Sequence, residues 1–143
     1  MHMVKIKVLF VCIHNSARSQ MAEAILNKYY GDKFYAESAG IEAGKMNPLA
    51  IAAMKEIDID ISEKKTHEVF DYFKEGRIYS YVITVCDETS AERCPVFPNI
   101  FQTIRWSFPD PSTFSGSEEE KFSQTRAVRD EIKEKIDAWV ASL

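Results

Sequence analysis

The chain has 143 residues, of which 45% are hydrophobic and 28% are charged, and these values predict one ordinary globular domain spanning residues 1–143. Its formal net charge of -4 provides no general attraction to nucleic acid or to an anionic membrane, so any anion-binding site must be local. Apolar runs are too short to span a bilayer and the N-terminus lacks the shape of a signal peptide, so we expect a cytoplasmic protein with its three cysteines as thiols at rest.

The spacing of apolar residues in the first half of the chain predicts two strands and three helices. Strand-forming residues occupy positions 6–11, a helical pattern follows over 19–30, and a second strand is expected over 34–38. Asn47 followed by Pro48 is a helix cap with proline at the first helical position, so a helix should begin there and run to about residue 57. A short helix is expected over 68–74.

The second half of the chain predicts two more strands and a long terminal helix. The strands cover 81–85 and 101–106, and Ser117 with Glu120 forms a capping box that begins the helix. Apolar residues at helical spacing predict one buried stripe on that helix: Val128, Ile132, Ile136, Trp139, Val140 and Leu143. Strands that alternate with helices predict an α/β fold in three layers. We expect a four-stranded, mainly parallel sheet with helices on both faces and its chemistry at the carboxyl ends of the strands.

Cys12 and Arg18 stand at the two ends of the loop that joins the first strand to the first helix. The first N–H groups of a helix have no partner within it, and the helix dipole adds partial positive charge, so such a loop can bind a tetrahedral anion. The same field favours a thiolate at Cys12, and the planar guanidinium of Arg18 can hold two oxygens of the anion. The expected oxyanion-binding residues of this phosphate-binding loop are Ile13, His14, Asn15, Ser16, Ala17, Arg18 and Ser19.

The side chains within this loop support that interpretation. A cysteine and an arginine at this spacing would carry little weight alone, because a cysteine that ends a buried strand is usually inert packing. Here, however, Asn15 tolerates the left-handed backbone that such a loop requires, and the Ser19 hydroxyl can donate to the thiolate. We expect His14 to shape the loop rather than to act as a base.

Two further residues follow predicted strands and should lie at the same edge of the sheet as Cys12. Cys86 follows the third strand and Asp110 the fourth, although Cys86 can also be read as a buried apolar residue and Asp110 as the start of an Asp-Pro turn. The polar segment 87–93 separates Cys86 from Cys94 and is expected to be a surface loop. On chemistry alone, a redox pair and two unrelated thiols remain open. No metal site is expected, because the three histidines are scattered and the cysteines lack zinc-site spacing.

Residues 8–24 resemble the opening of the thioredoxin-coupled arsenate reductases, which are similar in fold to the low-molecular-weight tyrosine phosphatases. Further matching segments lie at 37–41, 59–62, 84–86, 94–95, 106–111 and 118–121. Two details favour the reductases: Gln20 stands where the phosphatases typically carry proline, and no tyrosine pair follows Asp110 and Pro111. The reductases also have two further cysteines, at the positions of Cys86 and Cys94.

The resemblance implies a relay of disulfides. Cys12 would attack arsenate held by the loop and Arg18, while Asp110 acts as general acid. Cys86 would then attack Cys12 and release arsenite, and Cys94 would attack Cys86 to leave a disulfide that thioredoxin reduces. Two alternatives remain open: a low-molecular-weight protein tyrosine phosphatase that needs only Cys12, Arg18 and Asp110, and a non-catalytic oxyanion-binding or redox-sensing module.

Some members of that family hold a potassium ion, and the resemblance implies Asn15, Glu23 and Ser38 as its ligands here. The fourth ligand would be an acidic side chain from the segment after the second helix. In this chain that segment, residues 62–68, is one residue longer than the family pattern, which leaves the fourth ligand undefined. The sequence therefore predicts no tightly bound cofactor and leaves potassium binding open.

Overall fold

The computed structural model describes residues 4–86 and 97–143, and the predicted strands and helices appear there in the predicted order. The strands are β1 (Ile6–Cys12), β2 (Phe34–Gly40), β3 (Tyr81–Thr84) and β4 (Gln102–Arg105). The helices are α1 (Arg18–Tyr30), α2 (Pro48–Lys55), α3 (Val69–Lys74) and α4 (Glu118–Ser142), with a short 3-10 turn at Pro111–Thr113. The predicted α/β architecture is therefore confirmed, with element boundaries that differ by one or two residues.

All strand pairs in the four-stranded sheet are parallel, in the order β2-β1-β3-β4. Strand β1 is central, and its last residue, Cys12, lies opposite Gly40 of β2. On its other side Val11 lies opposite Thr84 of β3, which places Cys86 just past the end of the neighbouring strand. Because the strands are parallel, their carboxyl ends meet at one edge, which is where ligands bind in open α/β sheets.

Helices cover both faces of the sheet, as the sequence predicts. On one face, alternate residues of β1 pack against α1 and α4 in a cluster that includes Val8, Phe10, Met21, Ile25, Ile132 and Ile136. On the other face, Leu9 and Val11 pack with Val69 and Tyr72 of α3. Full burial of each large apolar side chain contributes about 1.5–3 kcal/mol, so α1 is held firmly with its first turn at the carboxyl edge.

The predicted helix caps are present. The Asn47 side chain accepts a hydrogen bond from the Leu49 N–H at 2.8 Å, and Pro48 begins α2. The Ser117 hydroxyl accepts from the Glu120 N–H at 3.1 Å at the start of α4. Each side chain thereby satisfies one of the N–H groups that a helix leaves without a partner.

The buried stripe of α4 is confirmed except at its last member. Val128, Ile132 and Ile136 are buried, while Trp139 and Val140 are half-buried against the same core. Leu143 is 58% exposed, contrary to the prediction. It lies past Ser142, the last helical residue, and helical spacing predicts burial only while the helix continues. Within the described parts of the chain, no helix is both long and apolar enough to cross a membrane.

Candidate active site

The loop between Cys12 and Arg18 turns its carbonyl oxygens outward and its N–H groups inward. Backbone N–H groups of the segment 41–47 donate to the carbonyls of Cys12, Ile13, His14 and Ser16 at 2.8–3.0 Å. Among the described residues, the N–H of Asn15 donates to Cys12 Sγ at 3.1 Å, and no other N–H of residues 13–17 donates to a protein group. The loop therefore presents unpaired donors to an anion at the start of α1.

Asn15 adopts the left-handed backbone that the sequence predicts, with a φ of 56°. This conformation turns the Asn15 N–H toward the Cys12 sulfur. The Asn15 side chain is fully buried and holds the loop from behind, because its Oδ1 accepts hydrogen bonds from Gln20 Nε2 at 2.9 Å and from the His67 N–H at 3.0 Å. Gln20 also donates to the Lys65 carbonyl at 3.0 Å, which ties the loop to the segment after α2.

The Cys12 sulfur is buried and contacts two polar groups of the loop and the first helix. Its Sγ is 2.8 Å from the Ser19 hydroxyl and 3.1 Å from the Asn15 N–H, and only 2% of the residue is exposed. Because Asn15 Nδ2 donates to the same hydroxyl at 2.8 Å, the Ser19 proton is left to point at the sulfur. A hydroxyl and a backbone N–H are therefore both placed to donate to the sulfur.

Arg18 and Asp110 come together at the same edge although 92 positions separate them in the chain. Arg18 is only 6% exposed, its Nη1 donates to the Phe108 carbonyl at 3.2 Å, and its Nη2 lies 3.4 Å from Asp110 Oδ2. The Asp110 Oδ1 also accepts from the Ser112 N–H at 2.9 Å, so Asp110 begins the 3-10 turn as well. The turn role and the site role of Asp110 are therefore compatible.

Cys86 lies two positions past the end of β3, next to the end of β1. The Val85 N–H donates to the Val11 carbonyl at 2.9 Å, and Cys86 Sγ lies 3.9 Å from that same carbonyl oxygen. Cys86 is 3% exposed and belongs to the same core cluster as Cys12. Cys94 and the predicted surface loop 87–93 lie outside the described residues.

The remaining loop residues line the site in different ways. Ala17 is 2% exposed and precedes α1, whereas Ile13 and Ser16 are partly buried. His14 is exposed, and its Nδ1 lies 3.9 Å from the Glu42 carboxylate, on the outer wall of the loop. The role of His14 in shaping the loop stays a prediction.

Two contributors were not recognised as such from the sequence. Gln20 was noted only as a departure from the phosphatases, yet it is buried and supports Asn15. Gly40 permits the loop to pass close to β2, because a Cβ there would lie 2.7 Å from the Asn15 nitrogen and 2.8 Å from the His14 carbonyl carbon. A glutamine five residues after the loop asparagine, in the first turn of the predicted helix, was the available signal for Gln20. The glycine at the end of a strand was the signal for Gly40.

Comparison with known proteins agrees with this geometry. The profile of the low molecular weight phosphotyrosine protein phosphatase family matches residues 7–143. An arsenate reductase of Halalkalibacterium halodurans is 42% identical over 132 residues, which cover 92% of this chain and 93% of that protein. A solved arsenate reductase in its phosphate-binding state has a TM-score of 0.75 and 32% identity, covering 96% of this chain and 98% of the other.

A thioredoxin-dependent arsenate reductase of Corynebacterium glutamicum is also similar in structure, with a TM-score of 0.68 and 26% identity. That match covers 97% of this chain and 64% of the other. The family match and the structural matches extend along nearly the whole chain rather than over one motif. The chain therefore belongs to the low molecular weight phosphotyrosine protein phosphatase family, and to the arsenate reductases within it.

Proposed function

We propose that this protein reduces arsenate to arsenite with Cys12 as nucleophile, and that Cys86 and Cys94 pass the resulting disulfide to thioredoxin. The observation that carries the proposal is the position of Cys86, just past the strand beside Cys12 and in the same buried cluster. A phosphatase needs only the first thiol, whereas a reductase needs a second sulfur close to it. The chain also resembles named arsenate reductases over more than nine-tenths of its length.

In the first proposed step, arsenate binds to the inward N–H groups of the loop and to Arg18. The Cys12 thiolate attacks arsenic and forms a sulfur–arsenic bond, while an arsenate oxygen leaves as water. Asp110 supplies a proton to that oxygen, and its carboxyl lies 3.4 Å from the guanidinium that would hold the anion. The positive charge of Arg18 and the loop donors offset the charge that develops on the remaining oxygens.

In the second proposed step, the Cys86 thiolate attacks the Cys12 sulfur. A Cys12–Cys86 disulfide forms, the sulfur–arsenic bond breaks, and its electron pair stays on arsenic, which leaves as arsenite. Cys94 then attacks Cys86, so that Cys12 returns to the thiolate and a Cys86–Cys94 disulfide remains. The two thiols of thioredoxin reduce that disulfide by the same exchange chemistry. The relay begins with all three cysteines reduced, and such a state is consistent with the cytoplasmic location that the sequence predicts.

Cys12, Arg18 and Asp110 would also suffice to hydrolyse a phosphate monoester, as the family match suggests. We therefore expect slow hydrolysis of an aryl phosphate as a side activity. It would need neither Cys86 nor Cys94.

Counting thiols tests the proposal. Reduced protein given arsenate without a reductant should release one equivalent of arsenite and lose two thiols, with Cys86 joined to Cys94 and Cys12 free. The Cys94→Ser variant should stop with Cys12 joined to Cys86, and Cys86→Ser should release almost no arsenite. Mass spectrometry of alkylated, digested protein distinguishes these states.

If the protein still has three free thiols after incubation with arsenate under conditions in which arsenate binds, the disulfide relay is contradicted. Rapid ester hydrolysis that is indifferent to both cysteine substitutions would support a phosphatase instead. Binding of arsenate without either reaction would support a sensing module.

A further inference from the structure

The potassium ligands implied by the sequence resemblance already have other partners in this structure. Asn15 Oδ1 accepts hydrogen bonds from Gln20 Nε2 at 2.9 Å and from the His67 N–H at 3.0 Å, which uses both lone pairs of that oxygen. Glu23 Oε1 accepts from the Ser38 hydroxyl at 3.1 Å. As arranged here, these residues do not fit a potassium ion, and no step of the proposed mechanism needs one.

The second carboxylate oxygen of Glu23 forms an ion pair with Lys64 Nζ. The Glu23 side chain is only 10% exposed, whereas the Lys64 side chain is 34% exposed, so solvent reaches this pair from the Lys64 side. Burial lowers the pKa of Lys64, as expected for an ammonium group withdrawn from water. A buried carboxylate requires a compensating positive charge, and Lys64 supplies it.

This ion pair joins three parts of the chain that surround the anion-binding loop. Glu23 lies on α1, which begins at the loop, and Ser38 lies on β2. Lys64 belongs to the segment 62–68, which also contributes the backbone N–H that binds Asn15. A cation at this point therefore holds the segment, the helix and the strand together behind the loop.

We propose that the Lys64 ammonium is a tethered cation that takes the place of potassium and makes the anion-binding loop of this protein independent of that ion. An ammonium group is a compact single positive charge with three donors, so it can neutralise Glu23 as a monovalent metal ion would. Its covalent tether keeps it at high effective concentration beside Glu23. The kinetic consequence rests on the proposed arsenate reduction, whereas the consequences for stability and anion binding do not.

The test compares the wild type with Lys64→Met, which keeps a long side chain and removes the charge. Lys74→Met removes one exposed charge from α3 and serves as the control for net charge. Each protein is measured in potassium chloride and in tetramethylammonium chloride at equal ionic strength. The quantities measured are the thermal midpoint, the dissociation constant for inorganic phosphate, and kcat and KM for arsenate.

The wild type and Lys74→Met should behave alike in the two salts. In tetramethylammonium chloride, Lys64→Met should have a lower thermal midpoint and bind phosphate more weakly, by on the order of tenfold, as is typical when the support of a ligand-binding residue is removed. Potassium should restore both quantities, because the ion can then occupy the position beside Glu23. Restoration of phosphate binding distinguishes a replaced cation from a general loss of packing.

A potassium-specific gain in the wild type would overturn the proposal. So would a Lys64→Met variant that loses nothing in tetramethylammonium chloride, or one that loses binding and does not regain it in potassium. If Lys64→Met fails to fold in either salt, the double variant Glu23→Gln with Lys64→Met decides, because it removes both charges of the pair. That variant should fold and ignore potassium, and its failure to fold would count against a role limited to charge compensation.

Discussion

Two cation–carboxylate pairs connect to the anion-binding loop, and they differ in which partner is buried and in what else contacts the carboxylate. In the arginine pair, Arg18 Nη2 and Asp110 Oδ2 are 3.4 Å apart, and Asp110 is 22% exposed on a turn. In the lysine pair, the Glu23 carboxylate is 10% exposed and also accepts a hydrogen bond from Ser38. In the first pair the carboxylate is the more exposed partner, whereas in the second the carboxylate is the buried partner and contacts two other chain segments.

The difference separates residues that handle substrate from residues that hold the loop in place. Arg18 and Asp110 are 3.4 Å apart and the carboxylate is partly exposed, so they can exchange their mutual contact for contacts with an anion. Removal of Lys64 leaves the buried carboxylate of Glu23 without its compensating charge. We therefore expect substitutions in the arginine pair to lower the rate, and substitutions behind the loop to lower stability and anion affinity.

The largest effect should come from Arg18→Lys. A point charge cannot replace the planar fork, and the loss of one donor to a developing oxyanion lowers the rate by about 10²–10³. Steady-state arsenate reduction measures this loss as kcat/KM. The free energy of unfolding should change less than the activation free energy. If kcat/KM of Arg18→Lys stays within tenfold of the wild-type value, Arg18 holds the loop in place rather than handling the substrate.

Asp110→Asn should slow formation of the Cys12 adduct by about a hundredfold, the typical consequence of losing a general acid. The Cys86→Ser background lets the adduct accumulate, so rapid quenching and mass spectrometry can follow its formation. The rate of Cys12 alkylation should be unchanged, because Asn15 and Ser19 still contact the sulfur. If the adduct forms at the wild-type rate in this variant, Asp110 is not the general acid and serves only to begin the 3-10 turn.

Gln20→Ala tests the region behind the loop. It removes the donor to Asn15 Oδ1 and to the Lys65 carbonyl, and unpaired buried groups of this kind cost about 1–3 kcal/mol. Urea unfolding should report that loss, together with weaker phosphate binding. Gln124→Ala, at an exposed position of α4, is the matched control. If Gln20→Ala lowers kcat and leaves the free energy of unfolding unchanged, residues behind the loop do not differ in role from those that contact the substrate.

The smallest effect should come from Ser117→Ala, which removes the cap of α4 far along the chain from the loop. Loss of such a cap typically lowers the free energy of unfolding by about 1 kcal/mol. Arsenate reduction and phosphate affinity should stay at their wild-type values. A change in either would show that α4 is coupled to the site more strongly than its packing against α1 and α2 indicates.

Local patterns in the sequence determined the elements and the location of the loop. The alternation of strands and helices, the Asn47 and Ser117 caps, and the left-handed Asn15 all depend on residues a few positions apart. The rule that carboxyl ends of parallel strands share an edge also placed Asp110 and Cys86 near Cys12. The predicted burial of Leu143 was wrong, because helical periodicity does not predict burial beyond the last helical residue.

Only the tertiary structure decided which polar groups meet behind the loop. Gln20 binds the Lys65 carbonyl across 45 positions, and Lys64 reaches Glu23 across a similar stretch. Hydrophobic periodicity predicts which faces of helices and strands are buried. It does not predict where a polar loop segment such as 62–68 packs, or which of its hydrogen-bond donors and charges meet buried polar groups. The sequence therefore determined that an anion-binding loop exists, and the return of segment 62–68 decided that a lysine ammonium supports it from behind.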